Sequence, residues 1–295
     1  MRFYDAHNHL QDERFGSSQT ELIAQAGAVG VVGMVVNGAC AGDWPSVEAL
    51  ARSHPGVIPA FGWHPWYLHE RTTGWLEQLE SCLDRSPRAS VGEIGLDRWI
   101  LEQPAAVRSR FQPDFGECSP ASLDTQTDAF VAQWKLAIRL DRAVTIHCLN
   151  AWGRLMELIR ALKGPSRGFL LHSYGGSAEL VPELIRMGAY FSFPGYFAWD
   201  RKQRQREVFR HIPLDRLLVE TDAPDQLPPT SLVRFPLFGP EPERRNLNHP
   251  ANLPDIYAFL AEWLAIPLPV LEAQVELNFH RLFGPSGPTP VPPPP

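Results

Sequence analysis

His7 and His9 stand one residue apart near the start of the chain, just after Phe3 and Tyr4, two residues of strand-forming type. On an extended segment, residues two apart point to the same face. The two imidazoles should therefore project side by side from the C-terminal end of a first strand. Such a pair is half of a divalent-metal site and needs further nitrogen or oxygen ligands. Candidates recur along the chain: His64 in Gly62-Trp63-His64-Pro65, Glu93 in Gly92-Glu93-Ile94-Gly95-Leu96-Asp97, His147 in Thr145-Ile146-His147, His172 in Leu171-His172-Ser173, and Asp222 in Glu220-Thr221-Asp222-Ala223-Pro224. Each alone has an ordinary explanation. A strand-end histidine is commonly a hydrogen-bonded structural residue, Asp222 before Ala-Pro can close a turn, and Glu93 can be an ion-pair partner. Together they would bring carboxylates and imidazoles into one cavity, where uncompensated charge is costly without cations. His54, His69, His211 and His280 read as surface or packing residues.

These side chains can meet only if the elements carrying them share one end of a sheet. Strands are predicted over 2–6, 31–36, 57–61, 89–94, 143–146, 168–171, 189–193 and 217–220. Val31-Val32-Gly33-Met34-Val35-Val36 is continuously apolar, which suits a parallel strand covered on both faces. Helical spacing fills most gaps, over 17–28, 44–53, 74–85, 125–140, 152–162, 178–187 and 201–211. Two more helices are predicted over 250–265 and 269–283. Eight strands alternating with helices predict an α/β fold, a distorted (β/α)8 TIM-type barrel. A doubly wound open sheet is the alternative, weakened because no glycine-rich phosphate loop follows the first strand. Barrel enzymes set their chemistry at the C-terminal strand ends, and six of the eight predicted ends carry His, Glu or Asp.

The 295 residues, 44% hydrophobic and 20% charged, are those of one globular domain, expected over 1–284. Residues 285–295 read as a disordered, proline-rich tail. Two stretches break the rhythm: 97–124, with Pro104, Pro113 and Pro120, and the proline-rich 223–245. The net charge of −6 argues against gripping nucleic acid along a wide surface. An anionic substrate must meet a local positive charge, and metal ions are the obvious one. Cys40, Cys82, Cys118 and Cys148 have no paired spacing, so neither a disulfide framework nor a thiolate zinc site is expected. No apolar run approaches membrane-spanning length and no signal peptide is readable, so the expected location is cytoplasmic, with no membrane and no obligate protein partner.

From Phe3 to about Phe283 the chain resembles the TatD-type deoxyribonuclease family of metal-dependent hydrolases, within the amidohydrolase-like barrels. The likeness rests on Asp5-Ala6-His7-Asn8-His9-Leu10, Gly62-Trp63-His64-Pro65, Val91-Gly92-Glu93-Ile94-Gly95-Leu96-Asp97, Ile146-His147-Cys148 and Leu218-Val219-Glu220-Thr221-Asp222-Ala223-Pro224, in that order. It implies two divalent metal ions (Zn, Mn, Mg or Co). His7, His9 and Asp222 would hold one, His147 and His172 the other, and Glu93 would bridge them. Cations about 3.5–4 Å apart clamp both oxygens of an in-line displacement and activate a water. The implied reaction is phosphodiester cleavage in DNA or a short oligonucleotide, with Asp222, Glu93 and His64 catalytic, Asp222 as proton acceptor, and His64 contacting the scissile group or the leaving oxygen. His64, Arg98 and Trp63 are the candidate substrate contacts. Many family members carry Arg-Asp after Ile-His-Cys; here Leu149-Asn150 stand there, and Arg98 is a candidate replacement cation. Asn248 matches a family Asn-x-Pro element and is expected to cap the following helix. An amidohydrolase-type enzyme of an amide, lactone or phosphotriester is the alternative. The absence of a lysine near the fourth strand end for a bridging carbamate, with Glu93 there instead, favours the phosphodiesterase. A non-enzymatic adaptor is a third reading, opposed by the complete ligand set.

Overall fold

The structure, a computed structural model, describes residues 1–108, 119–238 and 246–284. The expected proline-rich tail at 285–295, part of each irregular stretch (109–118 and 239–245), and Cys118 lie outside the described residues.

Eight parallel strands follow one another around a single sheet: β1 Phe3–Asn8, β2 Val31–Asn37, β3 Val57–Phe61, β4 Ser90–Asp97, β5 Val144–Leu149, β6 Phe169–Leu171, β7 Ala189–Pro194 and β8 Leu217–Glu220. Each pairs with its sequence neighbour. Most strand residues are buried, as expected for parallel strands with helices outside and packed side chains within. The end of β5 departs from this: His147 and Cys148 are half-buried and Leu149 is exposed, where the strand reaches the mouth.

The seam between β1 and β8 lies at the predicted ligands. His7 O accepts from Asp222 N at 3.0 Å, and His9 N donates to Ala223 O at 2.7 Å. The Asp5 carboxylate, fully buried, reinforces the seam by accepting from Thr221 N at 3.0 Å and Thr221 Oγ1 at 2.6 Å. It also accepts from Asn8 Nδ2 at 3.1 Å.

The outer helices are α1 Gln19–Ala28, α2 Trp44–Ser53, α3 Trp75–Arg85, the short α4 Trp99–Glu102 and α5 Ala105–Arg108, α6 Leu123–Arg139, α7 Trp152–Ala161, α8 Val181–Arg186, α9 Gln203–Val208, α10 Leu253–Leu264 and α11 Leu268–Phe283. They bury apolar residues at helical spacing, such as Leu79 and Leu83 on α3 or Leu155, Met156 and Ile159 on α7. No single helix among the described residues is long and apolar enough to cross a membrane.

Three local differences from the sequence reading have physical causes. β1, β4 and β5 run two to three residues past their apolar cores because ladder pairing continues, as in Asn8 with Val36 and Asp97 with Leu149. The helix expected over 178–187 is a 3-10 turn, Ala178–Leu180, followed by α8. Pro182 lacks an N–H and fits only in a first turn, so the α-helix begins beside it. The polar helix expected over 201–211 is likewise α9 flanked by 3-10 turns Asp200–Lys202 and Phe209–His211.

Candidate metal centre

Glu93 occupies the middle of the β4 run, where β3 and β4 approach closely. A Cβ at Gly62 would lie 2.9 Å from Glu93 O and 2.8 Å from Ile94 Cγ2, so only glycine permits that approach. The Glu93 carboxylate is buried, and its two oxygens face different partners. Oε2 lies 3.4 Å from His7 Nε2 and 3.2 Å from His9 Nε2. Oε1 lies 3.2 Å from His147 Nδ1 and 2.9 Å from His172 Nε2. Asp222 Oδ1 completes the first group at 3.4 Å from His7 Nε2 and 3.6 Å from His9 Nε2. His7 Nε2 and His9 Nε2 are 3.2 Å apart, so the side-by-side arrangement expected of the pair is present. Four donors around a tetrahedral cation with bonds of about 2.0–2.1 Å stand about 3.3–3.4 Å from one another. The observed separations match that spacing.

The imidazoles are turned by partners from other elements. His9 Nδ1 donates to Asn37 O, at the end of β2, at 2.7 Å; a carbonyl only accepts, so Nδ1 carries the proton and Nε2 offers its lone pair inward. His147 Nε2 lies 2.9 Å from Asp97 Oδ2 and donates to it, leaving Nδ1 for the centre. Asp97 also accepts from Trp66 Nε1 at 2.7 Å and Ile100 N at 2.9 Å. Its backbone is clamped by Gln126, whose Oε1 accepts from Asp97 N and whose Nε2 donates to Asp97 O. Seven residues along α6, Gln133 does the same for Trp63, just before His64. Two turns of helix thus hold the ends of β3 and β4. On the far side, Glu220 accepts from Ser173 N at 2.8 Å and from the Ser192 hydroxyl. Its Oε1 lies 3.8 Å from His172 Nδ1. Gln226 Nε2 donates to Asp222 Oδ2 at 2.6 Å, which fixes which carboxylate oxygen faces His7 and His9.

The electrostatics of the side chains show which charge the cavity favours. Burial would lower the basicity of His147 and His9, but Asp97 and Glu93 around the first, and Glu93 and Asp222 around the second, raise both to about 9. Burial opposes ionisation of Glu93, yet the surrounding histidines, His172 foremost, hold it well below the usual carboxylate range. Asp222 is pushed up to about 7, mainly by burial. His7 falls to about 4 through burial and the facing His172. Its Nδ1 and that of His172 are buried without a hydrogen-bond partner. The carboxylates therefore favour positive charge among these buried groups. Divalent cations fit this donor set, which comprises overlapping His/Asp/Glu groups able to hold metal ions.

His64 faces the same pocket, its Nε2 3.5 Å from Glu93 Oε1. Its Nδ1 accepts from Trp66 N at 3.2 Å, so the neutral ring carries its proton on Nε2. Burial drops its pKa to about 3 and keeps it neutral. It is thereby presented to the cavity as an N–H donor rather than as a lone pair.

The other expected contacts differ. Trp63 is buried, 5.8 Å from Trp44 between ring centroids, so its face is not open to a base. Arg98 is exposed at the rim, its amide donating to Leu149 O at 2.9 Å and its guanidinium 3.0 Å from Glu102. Asn248 does not cap a helix. Its Nδ2 donates to Thr221 O at 2.7 Å, beside Asp222, and His249 caps the next turn by accepting from Ala251 N at 2.9 Å. Asn37, Asp97, Gln126, Gln133, Glu220 and Gln226 escaped the sequence reading in these supporting parts. Only Asp97 and Glu220, at motif ends, carried any signal there.

Asp97→Ala should weaken Mn²⁺ binding by about 10–100-fold, as loss of an orienting carboxylate does. Calorimetric titration of metal-stripped protein reads this, with Asp97→Asn expected to fall between. Wild-type affinity in the alanine variant would deny Asp97 an orienting role.

A family model describing TatD-related DNases matches residues 4–284. The chain is 30% identical over 286 residues to the 3′-5′ ssDNA/RNA exonuclease TatD of Klebsiella pneumoniae (strain 342), covering 95% of this chain and 97% of that protein. It superposes on the crystal structure of YJJV, a TatD homologue from Escherichia coli K12, with a TM-score of 0.77 at 26% identity, covering 96% of this chain and 98% of the other. A TatD-family hydrolase from Entamoeba histolytica shares the fold with a TM-score of 0.77 at 19% identity, covering 97% and 99%.

Proposed function

The chain belongs to the TatD-related DNase family, and we propose that it is a 3′-5′ exonuclease that hydrolyses phosphodiester bonds of single-stranded DNA or RNA with two divalent cations. The observation that carries this reading is the division of Glu93, one oxygen toward His7 and His9, the other toward His147 and His172. His7, His9, Asp222 and Glu93 Oε2 would hold one cation, and His147, His172 and Glu93 Oε1 the other. When bound, such a pair lowers the pKa of a water and neutralises charge on the phosphodiester oxygens. Zn²⁺, Mn²⁺, Co²⁺ and Mg²⁺ are the candidates; imidazole-rich donors favour the transition metals.

The chain's own residues do the rest. Asp222, with Oδ2 pinned by Gln226 and its basicity raised to about 7 by burial, is suited to take a proton near neutral pH. His64 aims an N–H into the pocket and is suited to donate to a phosphate or leaving oxygen. Arg98 stands beside Leu149, at the rim, where its guanidinium can leave Glu102 for a phosphate. The net charge of −6 supports a short or single-stranded substrate held at the centre. The names of the relatives support the 3′-5′ polarity.

The test uses protein loaded with Mn²⁺ or Mg²⁺ and single-stranded oligonucleotides labelled at either end. Stepwise shortening from the 3′ end is expected, abolished by EDTA and reduced at least about 100-fold in His7→Ala. Cleavage that survives EDTA, or equal activity in His7→Ala, would overturn the reading. Internal cleavage or shortening from the 5′ end would overturn its polarity.

A further inference from the structure

We propose that the loop after β7 is a platform for the strand of a single-stranded nucleic acid, with Tyr196 and Trp199 stacking on bases and Arg201 and Lys202 taking phosphates. The proposal rests on the nuclease reading for the identity of its ligand. Its evidence is separate from the metal donors.

Position is the first observation. Pro194, the last residue of β7, is in register with Glu220 of β8, so the loop rises from the strand ends that carry Asp222. Trp199 Nε1 donates to Leu227 O at 3.0 Å, and the preceding residue, Gln226, holds Asp222. The platform therefore adjoins the mouth of the centre.

Its chemistry is the second. Tyr196 and Trp199 are half-buried rather than consumed by the core. The Arg201 guanidinium lies 5.3 Å from the Tyr196 ring and 4.7 Å from the Trp199 ring, and Lys202 Nζ is 4.8 Å from Tyr196. Among the described residues, neither cation pairs with a carboxylate. Other cations near the strand ends are engaged: Arg14 with Asp12 and Asp225, Arg98 with Glu102, and Arg154 with Glu157. Arg201 also donates to the Tyr196 hydroxyl at 3.4 Å; cations without a carboxylate partner beside aromatic rings are the combination that single-strand binders use, with stacking for bases and charge for the backbone.

Rigidity is the third. Buried Arg206 donates to Phe197 O at 3.1 Å and Ala198 O at 2.8 Å, with its guanidinium 4.5 Å from the Trp263 ring. A backbone braced in this way lowers the cost of ordering the loop on binding. With Arg206 buried and Arg210 paired with Glu207 at 3.1 Å, the remaining charge of this segment is carried by Arg201, Lys202 and Arg204 against Asp200, in a chain of net charge −6.

The bland alternative is that these cations only stabilise the loop through their rings. Fluorescence anisotropy with a 5′-fluorescein-labelled oligothymidylate octamer in EDTA separates the two, because binding is read without cleavage. Arg201→Ala/Lys202→Ala is expected to weaken binding about tenfold and to flatten the slope of log affinity against log salt by about 1.4, the value for two single-strand phosphate contacts. Trp199→Leu is expected to weaken it about tenfold through lost stacking. Arg281→Ala, a charge removed from exposed α11, controls for generic electrostatics. With metal added, the ratio of kcat/KM for the octamer to that for bis(p-nitrophenyl) phosphate should fall about tenfold in the double variant. Wild-type affinity and salt slope in that variant, or no octamer binding by the wild type, would overturn the platform. If the wild type binds the octamer through these residues but cleaves neither substrate, the platform stands and the nuclease reading falls. If it cleaves both and the variants match it, the platform falls and the nuclease reading stands.

Discussion

Glu93→Gln is expected to lower metal-dependent phosphodiester cleavage by at least about 10³-fold, about 4 kcal/mol of transition-state stabilisation. The two Glu93 oxygens face both imidazole groups, at 2.9–3.4 Å. An amide of the same shape keeps the volume but removes the charge and turns one acceptor oxygen into a donor. That NH₂ would face lone pairs at either His7 and His9 or His147 and His172, and one cation position loses an anionic ligand. Inductively coupled plasma analysis after dialysis should find a lower metal content per chain than in the wild type. Circular dichroism should show the barrel retained. Because the carboxylate is buried among histidines that hold it ionised, its neutral replacement also makes those histidines easier to deprotonate in the metal-free protein. Wild-type metal content together with wild-type turnover would remove Glu93 from the centre.

Asp5→Ala is expected to destabilise the fold by about 3 kcal/mol or more, because it strands Thr221 N, Thr221 Oγ1 and Asn8 Nδ2 in a buried seam. At about 2–4 °C per kcal/mol for a chain of this size, the unfolding midpoint should fall by about 6–12 °C. Asp5 spends its hydrogen-bonding capacity joining β1 to β8, and burial raises its pKa to about 7 even with those donors around it. The seam also carries His7, His9 and Asp222, so metal affinity should drop with stability. The experiment is thermal unfolding followed in EDTA and then in Mn²⁺. The wild type should gain more from Mn²⁺ than the variant, since a ligand stabilises in proportion to its affinity for the folded state. An unchanged midpoint in EDTA would mean that the seam is held by backbone hydrogen bonds alone.

Much of this architecture is legible in the amino-acid order. A continuous apolar run marks β2 because a parallel strand in a barrel is buried on both faces. Helix boundaries such as Trp44–Ser53 follow from spacing and flanking residues. The histidines and carboxylates stand out because they follow those runs directly, where a barrel opens. The supporting partners are not legible in the same way. Gln126 and Gln133 read as polar positions in a helix and are buried only because α6 lies across the ends of β3 and β4. Asn37 matters through its carbonyl, which every residue has. Arg201 and Lys202 read as part of a polar helix and become a separate feature only once β7 sets Tyr196 and Trp199 beside them.

The order of His7, His9, His64, Glu93, His147, His172 and Asp222 on six of the eight strand ends is a property of the sequence itself. Strand length and burial impose a local periodicity, and periodicity places each residue at an end. Which atoms of those residues face one another was decided by the tertiary structure alone. The His64 tautomer is set locally by Trp66 N, whereas the tautomers of His9 and His147, the two-sided exposure of Glu93 and the closure of the barrel at His7 and Asp222 depend on partners far away in the chain. Spacing along one element carries no information about such partners. They exist only once neighbouring strands have paired and, for His7 and Asp222, once the eighth strand has come round to the first.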